Sequence, residues 1–203
     1  MNQFFIATSN PGKQKEIKKY ADLYGDNIRV AFPDESNVLQ VDESGHTFEQ
    51  NALLKAAAYR ESMNDAALTY VGDDSGIMIP ALGGEPGVFS RRWAGYEMTD
   101  EEIVAYCLEK MAGLKGDDRK AVFKTVLAAI FPDKTTRYFQ GVMEGRIVEE
   151  PFEEESQPGF PFRSLFWVDA IDMPISQIHV LTPAERSGFL THRERAFKQL
   201  FTN

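Results

Sequence analysis

Residues 3–8 form a short, nearly continuous apolar run, the pattern of a buried strand, and residues 9–12 read as the turn that closes it. From Lys13 onward, Ile17, Tyr20, Ala21 and Tyr24 recur at helical spacing, and Gly25 ends the run. A second strand is expected over 27–32. Thr47-Phe48-Glu49-Gln50 is a capping-box sequence, so a long helix is expected from Thr47 to about Met63. A short strand over 68–71 then runs into Gly72-Asp73-Asp74-Ser75-Gly76, a polar turn by composition, with residues 77–79 continuing beyond it.

In the second half, Thr99-Asp100-Glu101-Glu102 is another capping box, opening a helix that Gly113 closes. Residues 120–131 and 135–145 predict a β-hairpin around Pro132-Asp133-Lys134. Residues 149–161 carry five Glu, three Pro and one Gly and read as an acidic loop. A last short strand is expected over 165–168. Thr182-Pro183-Ala184-Glu185 has an N-cap, a proline at the first helical position and a glutamate at the third. Thr191-His192-Arg193-Glu194 repeats the cap signature and opens a C-terminal helix. Strands mixed with helices, plus a long hairpin, point to a mixed-sheet α/β domain rather than a doubly wound parallel one. No repeat and no linker divides the chain.

Composition narrows the function classes. At 203 residues, one domain is the default, with length enough for a sizeable core. Apolar residues make up 43% and charged residues 26%, an ordinary globular balance. The net charge of −9 argues against sequence-independent binding to nucleic acid or to an anionic membrane. It leaves room for a small phosphorylated ligand held by a local positive patch. The single cysteine, Cys107, rules out an intramolecular disulfide and fits a reducing compartment. With no basic leader and no apolar run approaching a membrane span, a cytoplasmic location is expected.

Five constellations are candidates for chemistry. Thr8-Ser9-Asn10-Pro11-Gly12-Lys13 joins a strand to a helix, where backbone amides, polar side chains and a lysine suit a phosphate. It is not a Walker A loop, since Gln14 follows Lys13. Taken alone, it reads more readily as a turn and helix cap with a solvated lysine face. Asp73 and Asp74 are adjacent carboxylates, able to hold a hard cation and orient a water, or simply to furnish a turn. Lys55 follows Gln50 by five residues, so the two do not share a helix stripe. His192 and Arg193 lie in the first turn of a helix with donors to offer. Phe160 is a loop aromatic that could stack on a base or pack over a core edge.

Taken together in order and spacing, these stretches resemble the inosine triphosphate pyrophosphatase family. ATSNPGKQKE is similar to T-x-N-x-x-K-x-x-E, and ESGHTFEQNALLKA to E-x-G-x-T-F-x-E-N-A-x-x-K-A. GDDSGIMIPALGGEPGVFSRRWAG, QPGFPFRSLF and THRERA follow the family's remaining motifs, so the likeness spans nearly the whole chain. It implies one domain over residues 1–203: an elongated mixed β-sheet flanked by helices, two lobes with an active-site cleft, and a homodimer. It implies Mg²⁺-dependent cleavage of inosine or xanthosine triphosphate, or the deoxy forms, to the monophosphate and pyrophosphate.

Residue by residue, the resemblance gives Thr8, Ser9, Asn10, Gly12 and Lys13 to the phosphates, with Lys55 on the same chain. Asp74 becomes general base and metal contact, with Asp73 beside it and Ser75 on the substrate. Phe160 stacks on the base. His192 and Arg193 offer donors to the six-position carbonyl, a contact the adenine amino group cannot replace.

Three departures stand out. Gln50 aligns with a family glutamate that binds metal. Phe160-Pro161-Phe162-Arg163 replaces F-G-Y-D, reversing a charge at Arg163. Arg186 stands for a substrate-binding lysine, with different geometry. A nucleotide-sensing homologue with weak catalysis, or a pyrophosphatase of shifted base preference, are the alternatives these changes raise.

Overall fold

The computed structural model describes residues 2–152, 158–178 and 180–203. Residues 153–157, the centre of the expected acidic loop, lie outside them. Among the described residues seven strands form one mixed sheet: β1 (Asn2–Ala7), β2 (Ile28–Ala31), β3 (Thr69–Met78), β4 (Lys120–Ile130), β5 (Thr136–Ile147), β6 (Phe166–Val168) and β7 (Met173–Pro174). Their order is β2-β1-β3-β4-β5-β6-β7. β1 runs parallel to both β2 and β3, whereas β6 is antiparallel to β5 and β7. The helices are α1 (Pro11–Tyr24), α2 (Phe48–Met63), α3 (Asp100–Lys110), α4 (Ile175–Ile178) and α5 (His192–Phe201). No helix among the described residues is long and apolar enough to cross a membrane.

The described residues fall into two compact units, one within 1–75, 125–141 and 192–203, the other within 76–124 and 142–191. In the first unit β1 is buried on both faces, and the period of two along a strand sorts its side chains. Phe4 and Ile6 join Ile17 and Tyr20 of α1, Val71 of β3, Leu127 of β4 and Phe197 and Leu200 of α5. Phe5 and Ala7 join Tyr59 of α2 and Tyr70 of β3. The second unit has its own core, in which Ile103 and Cys107 of α3 pack with Phe123, Met143, Ile147, Leu165 and Phe166. Burial pushes the Cys107 thiol up to about 12, which leaves it a packing residue.

Three expectations are corrected. Residues 72–76 are not a turn: β3 passes straight through them. Gly72 is required there by packing, because a Cβ would strike the backbone carbonyl of Ala52 on α2. Pro11 rather than Lys13 begins α1, with Asn10 as the N-cap, since proline suits the first helical position. Thr182 and Glu185 do exchange cap hydrogen bonds, at 2.7 Å and 3.3 Å, yet no helix follows. Ser187 and Gly188 take positive φ and stop the chain after a turn.

Candidate active site

The first unit gathers most of the residues singled out in the sequence, and β3 is its axis. Alternation places Val71, Asp73 and Ser75 on the face toward α1 and α5, and Tyr70, Gly72 and Asp74 on the face toward α2. Neighbouring aspartates therefore enter two different environments.

Asp73 is 1% exposed. Its Oδ1 accepts from the Lys13 ammonium at 3.1 Å and from the Ser75 hydroxyl at 2.8 Å. Its Oδ2 accepts from the Arg193 Nε at 3.1 Å. Arg193 also donates to Glu16 at 2.8 Å and to the Ser75 hydroxyl at 3.3 Å. Burial alone would raise the Asp73 carboxyl, but Lys13, Arg193 and Lys55 hold it well below the usual carboxylate range. Burial also opposes the charge on Arg193, and Asp73 and Glu16 outweigh it, raising that group further. Lys13 moves down, chiefly through burial, with Arg193 and Lys55 adding and Asp73 opposing.

Asp74 faces α2. Its Oδ2 accepts from the Asn51 carboxamide at 3.3 Å, and its Oδ1 lies 3.5 Å from the Lys55 ammonium. Asn51 and Lys55 are four apart and share one helix stripe. The same Lys55 ammonium meets Glu43 at 2.9 Å, and the Asn51 carbonyl oxygen accepts from the Gly45 N–H at 2.8 Å. Burial raises the Asp74 carboxyl; Lys55 and Lys13 oppose the rise, while Glu43 and Asp73 add to it. Burial works against Lys55 as well, but Asp74, Glu43 and Asp73 outweigh it and hold the ammonium protonated.

The phosphate-cradle segment lies where β1 gives way to α1. Thr8 Oγ1 accepts from the Asn10 N–H at 3.3 Å, and Asn10 Oδ1 from the Lys13 N–H at 3.1 Å. The remaining first-turn amides, including that of Gly12, are the positive end of α1. Ser9 is exposed. On β4, the wholly buried Thr125 Oγ1 lies 2.8 Å from Ser75 Oγ and 2.7 Å from His192 Nδ1.

Several residues stand elsewhere. Gln50 is exposed, and its carboxamide oxygen accepts from the His46 N–H at 2.7 Å. It serves the start of α2 rather than the aspartates. Arg193 stays within the cluster, engaged by Asp73, Glu16 and Ser75. Phe160 and Arg186 belong to the second unit. There the Arg163 guanidinium lies 3.6 Å from the Phe160 ring centroid, a cation–π stack, while Phe162 is buried against Trp93 and Phe123. Arg186 is buried in the turn over 183–188.

Four residues in the cluster escaped the sequence reading: Glu16, Glu43, Asn51 and Thr125. Glu43 and Asn51 were within reach of it, since Glu43 heads the stretch ESGHTFEQNALLKA and Asn51 precedes Lys55 by one helical turn. Thr125 sits in an apolar strand and gave no signal.

No group of three or more His, Cys, Asp or Glu among the described residues forms a ready cage for a metal ion. Asp73 has both oxygens taken by cations and a hydroxyl. Asp74 and Glu43, by contrast, bracket one cationic position, that of the Lys55 ammonium. Hard oxygen donors of this kind suit Mg²⁺, which binds through one or two carboxylates together with substrate phosphates.

The sequence profile of the Ham1 family matches residues 4–203. The chain is 35% identical over 204 residues to the dITP/XTP pyrophosphatase of Bacillus subtilis (strain 168), covering 98% of this chain and 96% of that one. It is 35% identical over 201 residues to the dITP/XTP pyrophosphatase of Listeria monocytogenes serotype 4b (strain F2365), covering 98% and 93%. Among solved structures, the Ham1 protein of Staphylococcus aureus superposes with a TM-score of 0.77 at 31% identity, covering 98% of this chain and 96% of that one. A HAM1 protein from Coxiella burnetii superposes with a TM-score of 0.79 at 31% identity, covering 100% and 98%.

Proposed function

Because the chain belongs to the Ham1 family, we propose that it is a nucleoside triphosphate pyrophosphohydrolase acting on non-canonical purine nucleotides such as dITP and XTP. The observation that carries this reading is the split aspartate pair, with Asp73 locked among cations and Asp74 raised by burial beside Lys55. A carboxylate whose pKa is raised is a better proton acceptor than an exposed one. In the proposed reaction Asp74 takes a proton from water as the water oxygen bonds to the α-phosphorus. The bond from that phosphorus to the bridging oxygen breaks, and pyrophosphate leaves with the electron pair.

Lys13, Lys55 and the first-turn amides of α1 balance charge on the phosphates, and Asn51 orients Asp74. Asp74 and Glu43 would hold Mg²⁺, which when bound supplies charge neutralisation on the phosphate oxygens. Asp73 keeps Lys13 and Arg193 in place rather than taking part itself.

The test is pyrophosphate release from dITP, XTP, dATP and dGTP with Mg²⁺, for wild type and Asp74→Asn. Release from dITP and XTP in preference to the others, with a loss of about 10²-fold or more in the variant, is expected. Equal release by Asp74→Asn, or none by wild type, refutes the reading.

A further inference from the structure

A chain of hydrogen bonds joins the acid pair to His192. The Ser75 hydroxyl donates to Asp73 Oδ1 at 2.8 Å, Ser75 Oγ and Thr125 Oγ1 lie 2.8 Å apart, and Thr125 Oγ1 and His192 Nδ1 lie 2.7 Å apart. Asp73, Thr125 and His192 are all buried. Each hydroxyl has one proton, so the direction of the first bond sets the direction of the rest.

Asp73 is held as a carboxylate by ion pairs to Lys13 and Arg193, and a carboxylate can only accept. The Ser75 proton therefore points at Asp73. The Ser75 oxygen is left to accept from Thr125, as it also does from Arg193 Nη2 at 3.3 Å. Thr125 has then given its proton to Ser75, and its oxygen must accept from His192. The reverse order would turn the Ser75 lone pairs onto the Asp73 oxygen at 2.8 Å, an unfavourable contact in a site with few alternatives.

We propose that this chain fixes a proton on Nδ1 of His192, making Ser75 and Thr125 positioning residues that set how the ring meets a purine. The proton stays on Nδ1 whether the ring is neutral or charged, so only Nε2 changes state. In the neutral ring Nε2 is then an acceptor and not a donor. That suits the ring N–H which keto purines carry beside the six-carbonyl, and opposes the bare ring nitrogen of adenine at the same position. The sequence reading had His192 as a donor to the carbonyl; with Nδ1 committed to Thr125, a donor at Nε2 exists only in the imidazolium. The part concerning the purine rests on the proposed function, and the hydrogen-bond chain does not.

The experiment is ¹⁵N–¹H correlation of the imidazoles in the nucleotide-free protein at pH about 9, well above the ordinary histidine value. His192→Gln identifies the His192 signals. The Nδ1–H pattern is expected in wild type and in Thr125→Ser. In Thr125→Val, which removes the acceptor without changing shape, the Nδ1–H to Nε2–H ratio is expected to fall roughly tenfold. A wild-type ring protonated on Nε2 overturns the proposal without any variant being needed, and so does an unchanged ratio in a folded Thr125→Val. In turnover assays Thr125→Val is expected to raise KM for dITP roughly tenfold while kcat changes less; an unchanged KM removes the link to the base. A wild type that shows Nδ1–H yet releases no pyrophosphate from dITP refutes the hydrolase reading and leaves the chain of hydrogen bonds intact.

Discussion

Asp73 and Asp74 are chemically identical and adjacent, and the strand period alone sends them to opposite faces with opposite shifts. Asp73 is depressed, so its contribution to stability is complete above the unfolded value of 3.8 and is lost as pH falls below it toward the folded value. Urea unfolding of wild type is therefore expected to weaken steeply below pH 3.8, and Asp73→Asn to flatten that slope. The same variant leaves Lys13 and Arg193 without their carboxylate and is expected to cost about 3–5 kcal/mol at neutral pH. A parallel acid slope in both proteins would show that other carboxylates carry it. The residue types at this site were legible in the sequence, but their assignment was not. Asp-Asp-Ser between glycines reads as a turn as readily as a strand, and only the packing of α2 against Gly72 decides between them. Gln50 and Lys55 drew attention by alignment, whereas the residue sharing a stripe with Lys55 is Asn51. Glu43 reaches Lys55 from the loop before α2, a contact that no periodicity encodes.

At the scale of elements, local signals placed most helices and strands because caps and alternation act over a few residues. The Thr99 capping box opens α3, and the Thr47 cap opens α2. The hairpin turn also fell where Pro132-Asp133-Lys134 put it, with Lys134 at positive φ. The cap at Thr182 shows where such signals stop: its bonds form, but the following residues terminate the turn at once. What local signals leave open is how closely elements approach. Gly141 of β5 lies so near the start of α5 that a Cβ there would strike the His192 carbonyl. Gly141→Ala is accordingly expected to lose about 1–3 kcal/mol by overpacking, read as a lower urea midpoint with unchanged slope. It should also raise KM for dITP, because α5 carries both His192 and Arg193. A variant as stable as wild type would mean that β5 and α5 can move apart freely.

For the whole molecule, the net charge of −9 remains a barrier to polyanions, and the structure shows how the cations around Asp73 and Asp74 are paired. Of the four lysines near the start of α1, Lys13 turns to Asp73 while Lys18 lies over the Phe32 ring. Lys15 and Lys19 are exposed. The four thus divide into one lysine that joins the Asp73 cluster and three on the exposed face of α1. Lys13, Lys55 and Arg193 are matched by Asp73, Asp74, Glu43 and Glu16, leaving the cluster one charge negative. A triphosphate of about four negative charges gains nothing from such a cluster unless a divalent cation arrives with it. Binding should therefore be cation-linked rather than merely turnover. With Mg²⁺ and dITP at roughly 100 times Kd, mass action is expected to add about 2.7 kcal/mol to the unfolding free energy. An α,β-methylene analogue of dITP cannot be cleaved on the proposed mechanism, so thermal unfolding of wild type with it offers a stable reading of binding. The midpoint should rise with the analogue when Mg²⁺ is present and stay flat with EDTA. An equal rise with and without the cation would mean that the lysines and helix amides suffice, and that the carboxylates at Glu43 and Asp74 do not share a metal.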